Sequence, residues 1–82
     1  MLFELRNGKK TVGRKQSQRA VLEGKAQKIF LASDADARIR QDVEELCRTH
    51  SVPVVPVDTM ESLGRACGIQ VGAAVAALLK AQ

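Results

Sequence analysis

Tryptophan and tyrosine are missing from this chain of 82 residues, and phenylalanine occurs only twice. Most of the interior must therefore be filled by Val, Leu, Ile and Ala, which at this length suits a thin layered α/β domain better than a deep catalytic cleft. Cysteine is scarce as well. Cys47 and Cys67 form no C-x-x-C pair, and only His50 stands near one of them at a spacing that could share a ligand, so no metal site is expected. Long apolar runs are also lacking. Met1-Leu2-Phe3 stops at Glu4, short of the roughly seven residues an export signal needs, and nothing approaches the roughly 20 residues of a membrane span. The expectation is a cytoplasmic protein with reduced thiols and no membrane contact. Glycine loops of the G-x-G-x-x-G or P-loop kind and the G-x-S-x-G elbow are absent, which leaves no cofactor and no catalytic residue to name. With no repeat, linker or low-complexity stretch, residues 1–82 read as a single domain.

Basic charge is present and unevenly spread. Residues 1–28 carry eight basic residues (Arg6, Lys9, Lys10, Arg14, Lys15, Arg19, Lys25 and Lys28) against Glu4 and Glu23, a balance of +6. Residues 29–82 carry five basic against seven acidic residues, a balance of −2. A split of this kind implies one cationic surface on an otherwise near-neutral body. Nucleic acid is the obvious partner, because counterion release from a polyanion supplies affinity without sequence. A merely soluble basic surface is the plain alternative.

The elements can be read in order. Residues 1–9 are open between a short helix and a loose lead-in. Lys10-Thr11-Val12 reads as a short strand, and Arg14–Glu23 as a helix stopped by Gly24. Ile29–Ala32 is an apolar run that suits a buried strand, and Asp34 or Asp36 can cap the next helix. In Ala37–His50, Ile39, Val43, Leu46 and Cys47 recur at i, i+4, i+7 and i+8, the stripe of one buried helix face. Val52–Val57, broken by Pro53 and Pro56, suits a strand near a sheet edge. Met60–Cys67 reads as a helix closed by Gly68, with Asp58 and Glu61 as capping carboxylates. The tail from Val71 to Leu79 is divided: alanine propensity leans to helix, whereas a continuous apolar run also fits a buried strand. The order implies α/β with helices covering a sheet.

Two clusters compete as sites. Cys47 and His50 are three apart on the long helix, but Cys47 belongs to the apolar stripe and reads as a small inert hydrophobe. The start of the Arg14–Glu23 helix differs. Gly13 lets the backbone approach a partner closely, the free N–H groups and positive helix end favour an anion, and Lys15 and Arg19 repel at i, i+4 unless an anion lies between them. Gln16 adds an amide that can donate and accept toward base edges. As a solvated face the same turn would be unremarkable.

At Gly13-Arg14-Lys15-Gln16, Leu22-Glu23-Gly24-Lys25-Ala26 and Ile29–Ala32 with Asp34-Ala35-Asp36, the chain resembles the L-seven-Ae/L-thirty-e superfamily of ribosomal and kink-turn RNA-binding proteins. Leu46-Cys47, Val52-Pro53-Val54 and the specific run Leu63-Gly64-Arg65-Ala66-Cys67-Gly68-Ile69 extend the likeness over roughly residues 10–79, and it is nearest to the short bacterial members. The resemblance implies a three-layer α/β/α sandwich around a mixed, four-stranded sheet, with the tail as a strand. It implies binding to kink-turn RNA, a sharply bent duplex carrying sheared G·A pairs; a monomer, ribosome- or riboswitch-associated, is the accompanying expectation. It also implies roles for residues. Gly13, Arg14, Lys15, Gln16 and Arg19 would contact the RNA, Ile69, Gln70 and Val71 would cover unpaired bases at the bend, and Asp36 would line a pocket for an extruded nucleotide. Where archaeal and eukaryotic members have Asn then Glu, this chain has Lys15 then Gln16, and a lysine of the pocket is Met60 here. The competing expectation is a protein-interaction domain that recruits an RNA-modification enzyme or meets an acidic partner.

Overall fold

Eight elements alternate along residues 3–81, which the computed structural model describes; Met1 and Leu2, weighed above for an export signal, and Gln82 lie outside them. They are α1 (Phe3–Asn7), β1 (Lys10–Val12), α2 (Arg14–Leu22), β2 (Ala26–Ala32), α3 (Ala37–Thr49), β3 (Val54–Val57), α4 (Met60–Ala66) and β4 (Val75–Leu79). The strands form one mixed sheet in the order β1-β4-β2-β3, with β4 antiparallel to both neighbours and β3 parallel to β2. Alternate side chains of β2 and β4 feed two cores. Phe30, Ala32, Ala76 and Leu78 join Leu5 of α1 and Leu63 of α4 on one face. Ile29, Leu31, Val75 and Ala77 join Ala20 and Val21 of α2 and Val43 and Cys47 of α3 on the other. The result is the α/β/α sandwich that the resemblance implied.

The tail is the element that propensity misjudges. Val75–Leu79 is the second strand of the sheet, buried on both faces, with Ala76 and Ala77 wholly inaccessible. Its alanines are explained by register: Ala76 pairs with Phe30 and Ala77 with Ile29, so small side chains on β4 leave room for large ones on β2. Burial between two partners outweighs the helix preference of alanine, which amounts to a few tenths of a kcal/mol per residue. Residues 71–74, read with the tail, are loop instead.

Other readings are adjusted. The lead-in contains a helix, anchored by fully buried Leu5 and by a part-buried ion pair in which Lys28 Nζ lies 3.0 Å from Glu4 Oε2. β2 begins three residues earlier than the apolar run, at Ala26. β3 is the edge strand that Pro53 and Pro56 suggested. Asp36 does cap α3, its Oδ1 accepting from the Arg38 N–H at 2.8 Å. Asp58 does not cap α4. Thr59 does, its Oγ1 accepting from the Ser62 N–H at 3.0 Å, while Glu61 pairs with Arg65 at 3.1 Å one turn on.

Candidate nucleic-acid interface

Because β1 and β2 run against β4 while β3 follows β2, the last residues of β1, β2 and β3 and the first of β4 share one end of the sheet. Backbone hydrogen bonds stitch the connections there. The Gly13 N–H donates to the Val75 carbonyl at 2.9 Å, and the Ala32 N–H donates to that of Ala74 at 2.9 Å. The turn into α2 and the segment leading to β4 are thereby held side by side.

Gly13 has φ 109° and ψ 155°, a conformation that residues with a side chain rarely adopt. Its carbonyl accepts from the Ser17 N–H at 3.0 Å and opens the helix. A methyl group on Gly13 would meet Gln16 Oε1 at 3.1 Å, so the Gln16 amide lies over the glycine. Arg14, Lys15 and Gln16 are all exposed in the first turn, with Arg19 exposed one turn on. Among the described residues, no carboxylate pairs with Arg14, Lys15 or Arg19, and the first turn of α2 holds no acid. Unpaired cations gathered at a positive helix end are what an anion would stabilise.

The second part of the surface is built by glycines. α4 ends with the Gly68 N–H bonded to the Arg65 carbonyl and the Ile69 N–H bonded to that of Gly64, a closure that turns the chain back on itself. The returning backbone crosses buried Gly64 so closely that a methyl there would collide with the Val71 carbonyl oxygen. The Ala73 N–H then donates to the Met60 carbonyl at 3.0 Å. With its backbone pinned, the loop presents its side chains outward: Ile69 is 36% exposed, Val71 is 71% exposed, and Gln70 is exposed. Two exposed aliphatic side chains beside unpaired cations suit a partner with both phosphates and accessible base faces.

Asp36 stands at the same end but is engaged in capping α3. Asp34 bridges 26 positions, its Oδ1 accepting from the Met60 N–H at 2.8 Å, and so fixes the start of α4 under the loop. Met60 itself is half-buried against the α1–α4 core. Asp34, Asp36 and Asp58 lie where β2 and β3 end, whereas Arg14 and Lys15 lie where β1 ends, so the surface is polarised along the sheet. Cys47 and His50 do not form a reactive pair. Cys47 is buried, which pushes its thiol pKa up, and His50 is exposed. Burial also raises Cys67, partly countered by Lys10. No group of three or more metal-binding side chains occurs among the described residues.

The Ribosomal protein L7Ae/L30e/S12e/Gadd45 family model matches residues 3–82. This chain belongs to that family. An RNA-binding protein of Geobacillus sp. (strain WCH70) is 49% identical over 76 residues, covering 93% of each chain. RNA-binding protein YbxF of Geobacillus stearothermophilus is 46% identical over the same share. Among solved structures, the Giardia lamblia 15.5kD RNA binding protein superposes with a TM-score of 0.91 at 29% identity, covering 99% of this chain and 72% of that one. A protein of unknown function from Bacillus halodurans C superposes with a TM-score of 0.89 at 26% identity, over 98% and 84% of the two chains. The family is non-catalytic, and the chain is not an enzyme. No helix among the described residues is long and apolar enough to cross a membrane.

Three residues that shape the surface escaped the reading of the sequence. Gly64 and Gly72 lay within recognisable runs, but their role is a close approach between segments far apart in the fold, which no local pattern encodes. Asp34 was legible only as a possible cap for α3, and its partner is instead the start of α4.

Proposed function

We propose that this protein binds RNA at a kink-turn or a similarly bent duplex, with Gly13–Arg19 in the widened groove and Ile69–Val71 against unpaired bases. The observation that carries the reading is the Gly13 turn. A backbone conformation open to glycine, locked by a hydrogen bond to Val75, delivers exposed and unpaired Arg14 and Lys15 at the helix start, with Arg19 exposed and unpaired in the last turn. Regular A-form grooves hide base edges from a short helix, so a distorted duplex is the natural target. The RNA-binding names of relatives covering 93% of the chain support the same partner. The carboxylates of Asp34 and Asp58 would repel phosphate and bound the footprint on the β3 side.

On this reading the protein acts in the cytoplasm as a monomeric single domain, delivering its RNA to a ribosome- or riboswitch-associated particle. Asp36 would line a pocket for one extruded nucleotide. Gel shifts at fixed salt with a kink-turn and with a straight duplex of equal length and composition test the idea. Tighter binding of the kink-turn is expected, and equal affinities would refute it.

A further inference from the structure

Three lysines meet at the opposite end of the sheet. Lys9 precedes β1, Lys25 precedes β2 and Lys80 follows β4. The Leu79 N–H donates to the Lys9 carbonyl at 2.9 Å, and the Lys80 N–H donates to the Lys25 carbonyl at 2.9 Å. Three separate segments are therefore fixed together by their backbones, whatever the side chains prefer. All three lysines line one open cavity of about 320 Å³, together with Gly24, Leu79 and Ala81. No acidic side chain among the described residues lines that cavity.

The charges at this end are poorly matched. Lys25 Nζ lies 3.3 Å from Glu23 Oε1, but the two side chains are 69% and 48% exposed, so solvent screens the pair. Lys9 and Lys80 have no carboxylate partner among the described residues. Lys9 and Lys80 also line the neighbouring cavity with Glu4, whose carboxylate is held by Lys28. Like charges on a shared rim gain nothing for folding, and a multivalent anion is what relieves their repulsion.

We infer that Lys9, Lys25 and Lys80 form a second RNA surface, which takes the phosphodiester backbone of a duplex without reading its bases. Among the described residues, the cavity is lined by ammonium groups and by no aromatic or amide side chain, which suits a backbone contact. β4, five residues long, separates it from the Gly13 end by about 17 Å. The backbone can come from a long arm of the RNA held at the Gly13 end or from a second RNA molecule.

An NMR titration with a straight RNA duplex, followed by a kink-turn RNA with a long arm, distinguishes the sources. The straight duplex is expected to shift the amide resonances of Lys9, Gly24, Lys25 and Lys80, and the shifts should fade as salt rises. The variant Lys9→Gln/Lys25→Gln/Lys80→Gln should fold normally, because all three side chains are exposed, and should lose those shifts. For a long-arm RNA bound at both ends, the variant should lower the slope of log affinity against log salt by about two to three, near one per phosphate contact. For a second molecule, the slope with the long-arm RNA is unchanged and two RNAs bind per protein. Absent shifts at these amides with both RNAs and an unchanged slope would overturn the inference. So would shifts produced by polyglutamate but not by RNA, which would assign the surface to an acidic protein. The straight-duplex arm does not depend on kink-turn preference, so failure of that reading leaves this test intact.

Discussion

Gly64→Ala places one methyl group where the returning loop already runs. The new Cβ would collide with the Val71 carbonyl oxygen and lie 3.1 Å from Gly72 Cα. Both obstacles are backbone, so no side-chain rotation relieves the contact. Restoring ordinary spacing requires the loop to retreat by about 1 Å. Overpacking of this kind costs about 1–3 kcal/mol, against which alanine within α4 recovers up to about 1 kcal/mol over glycine. The net loss, up to about 2 kcal/mol, lowers the melting temperature by up to about 16 °C in a domain of this size. RNA affinity should fall about tenfold as well, because Val71 rides on the displaced segment; a tenfold loss corresponds to about 1.4 kcal/mol. Thermal melts followed by circular dichroism and fluorescence anisotropy with labelled kink-turn RNA give the two readouts. Arg65→Ala is the control. It removes only the exposed pair with Glu61, worth about 0.5 kcal/mol or less. A Gly64→Ala protein that melts like the wild type and binds RNA undiminished would refute the role given to the crossing.

Val71→Asp should leave the melting temperature within about 4 °C, since a 71% exposed side chain contributes about 0.5 kcal/mol or less. It should weaken RNA binding tenfold or more through lost apolar cover and repulsion of phosphate, and a large fall in melting temperature without RNA would instead make the loop part of the core. Lys15→Ala and Arg19→Ala should each cost about 1–3 kcal/mol of binding if they reach bases, or lower the salt slope by about one if they touch phosphates. Unchanged titrations for both variants would move the site elsewhere. Ser17→Ala should raise stability by about 1 kcal/mol, because the Ser17 hydroxyl is buried with no hydrogen-bond partner among the described residues. Chemical denaturation checks this, and a destabilised Ser17→Ala protein would mean that the hydroxyl is satisfied after all.

Local signals carried much of the fold. The stripe Ile39, Val43, Leu46 and Cys47 marked α3, the apolar run Ile29–Ala32 marked the heart of β2, and the prolines marked β3 as an edge. The exposed polar start of α2 was legible because a helix needs an apolar face and that turn lacks one. What escaped was non-local. The strandhood of Val75–Leu79 depends on Phe30 and Ile29 across the sheet, and the need for glycine at position 64 depends on a loop arriving from later in the chain. The end of α3 was read at His50, its C-cap, although Ser51, at φ 58°, carries the left-handed turn that glycine carries at positions 24 and 68.

The place of β4 in the sheet sets a timetable for folding. Among the described residues, β1 pairs with β4 alone, and β2 meets β1 only through it. While the chain is being synthesised, β2, α3 and β3 can associate from nearby contacts, but β1 has nowhere to dock until residues 75–79 emerge. The hydrogen bond from Gly13 to Val75 delays the polar helix start in the same way. A nascent chain that ends before Val75 thus lacks the mid-sheet strand and the constraint on Gly13 together, so core closure and competence to bind arrive in a single late event. Pairing across more than 60 residues belongs to the non-local contacts that slow folding.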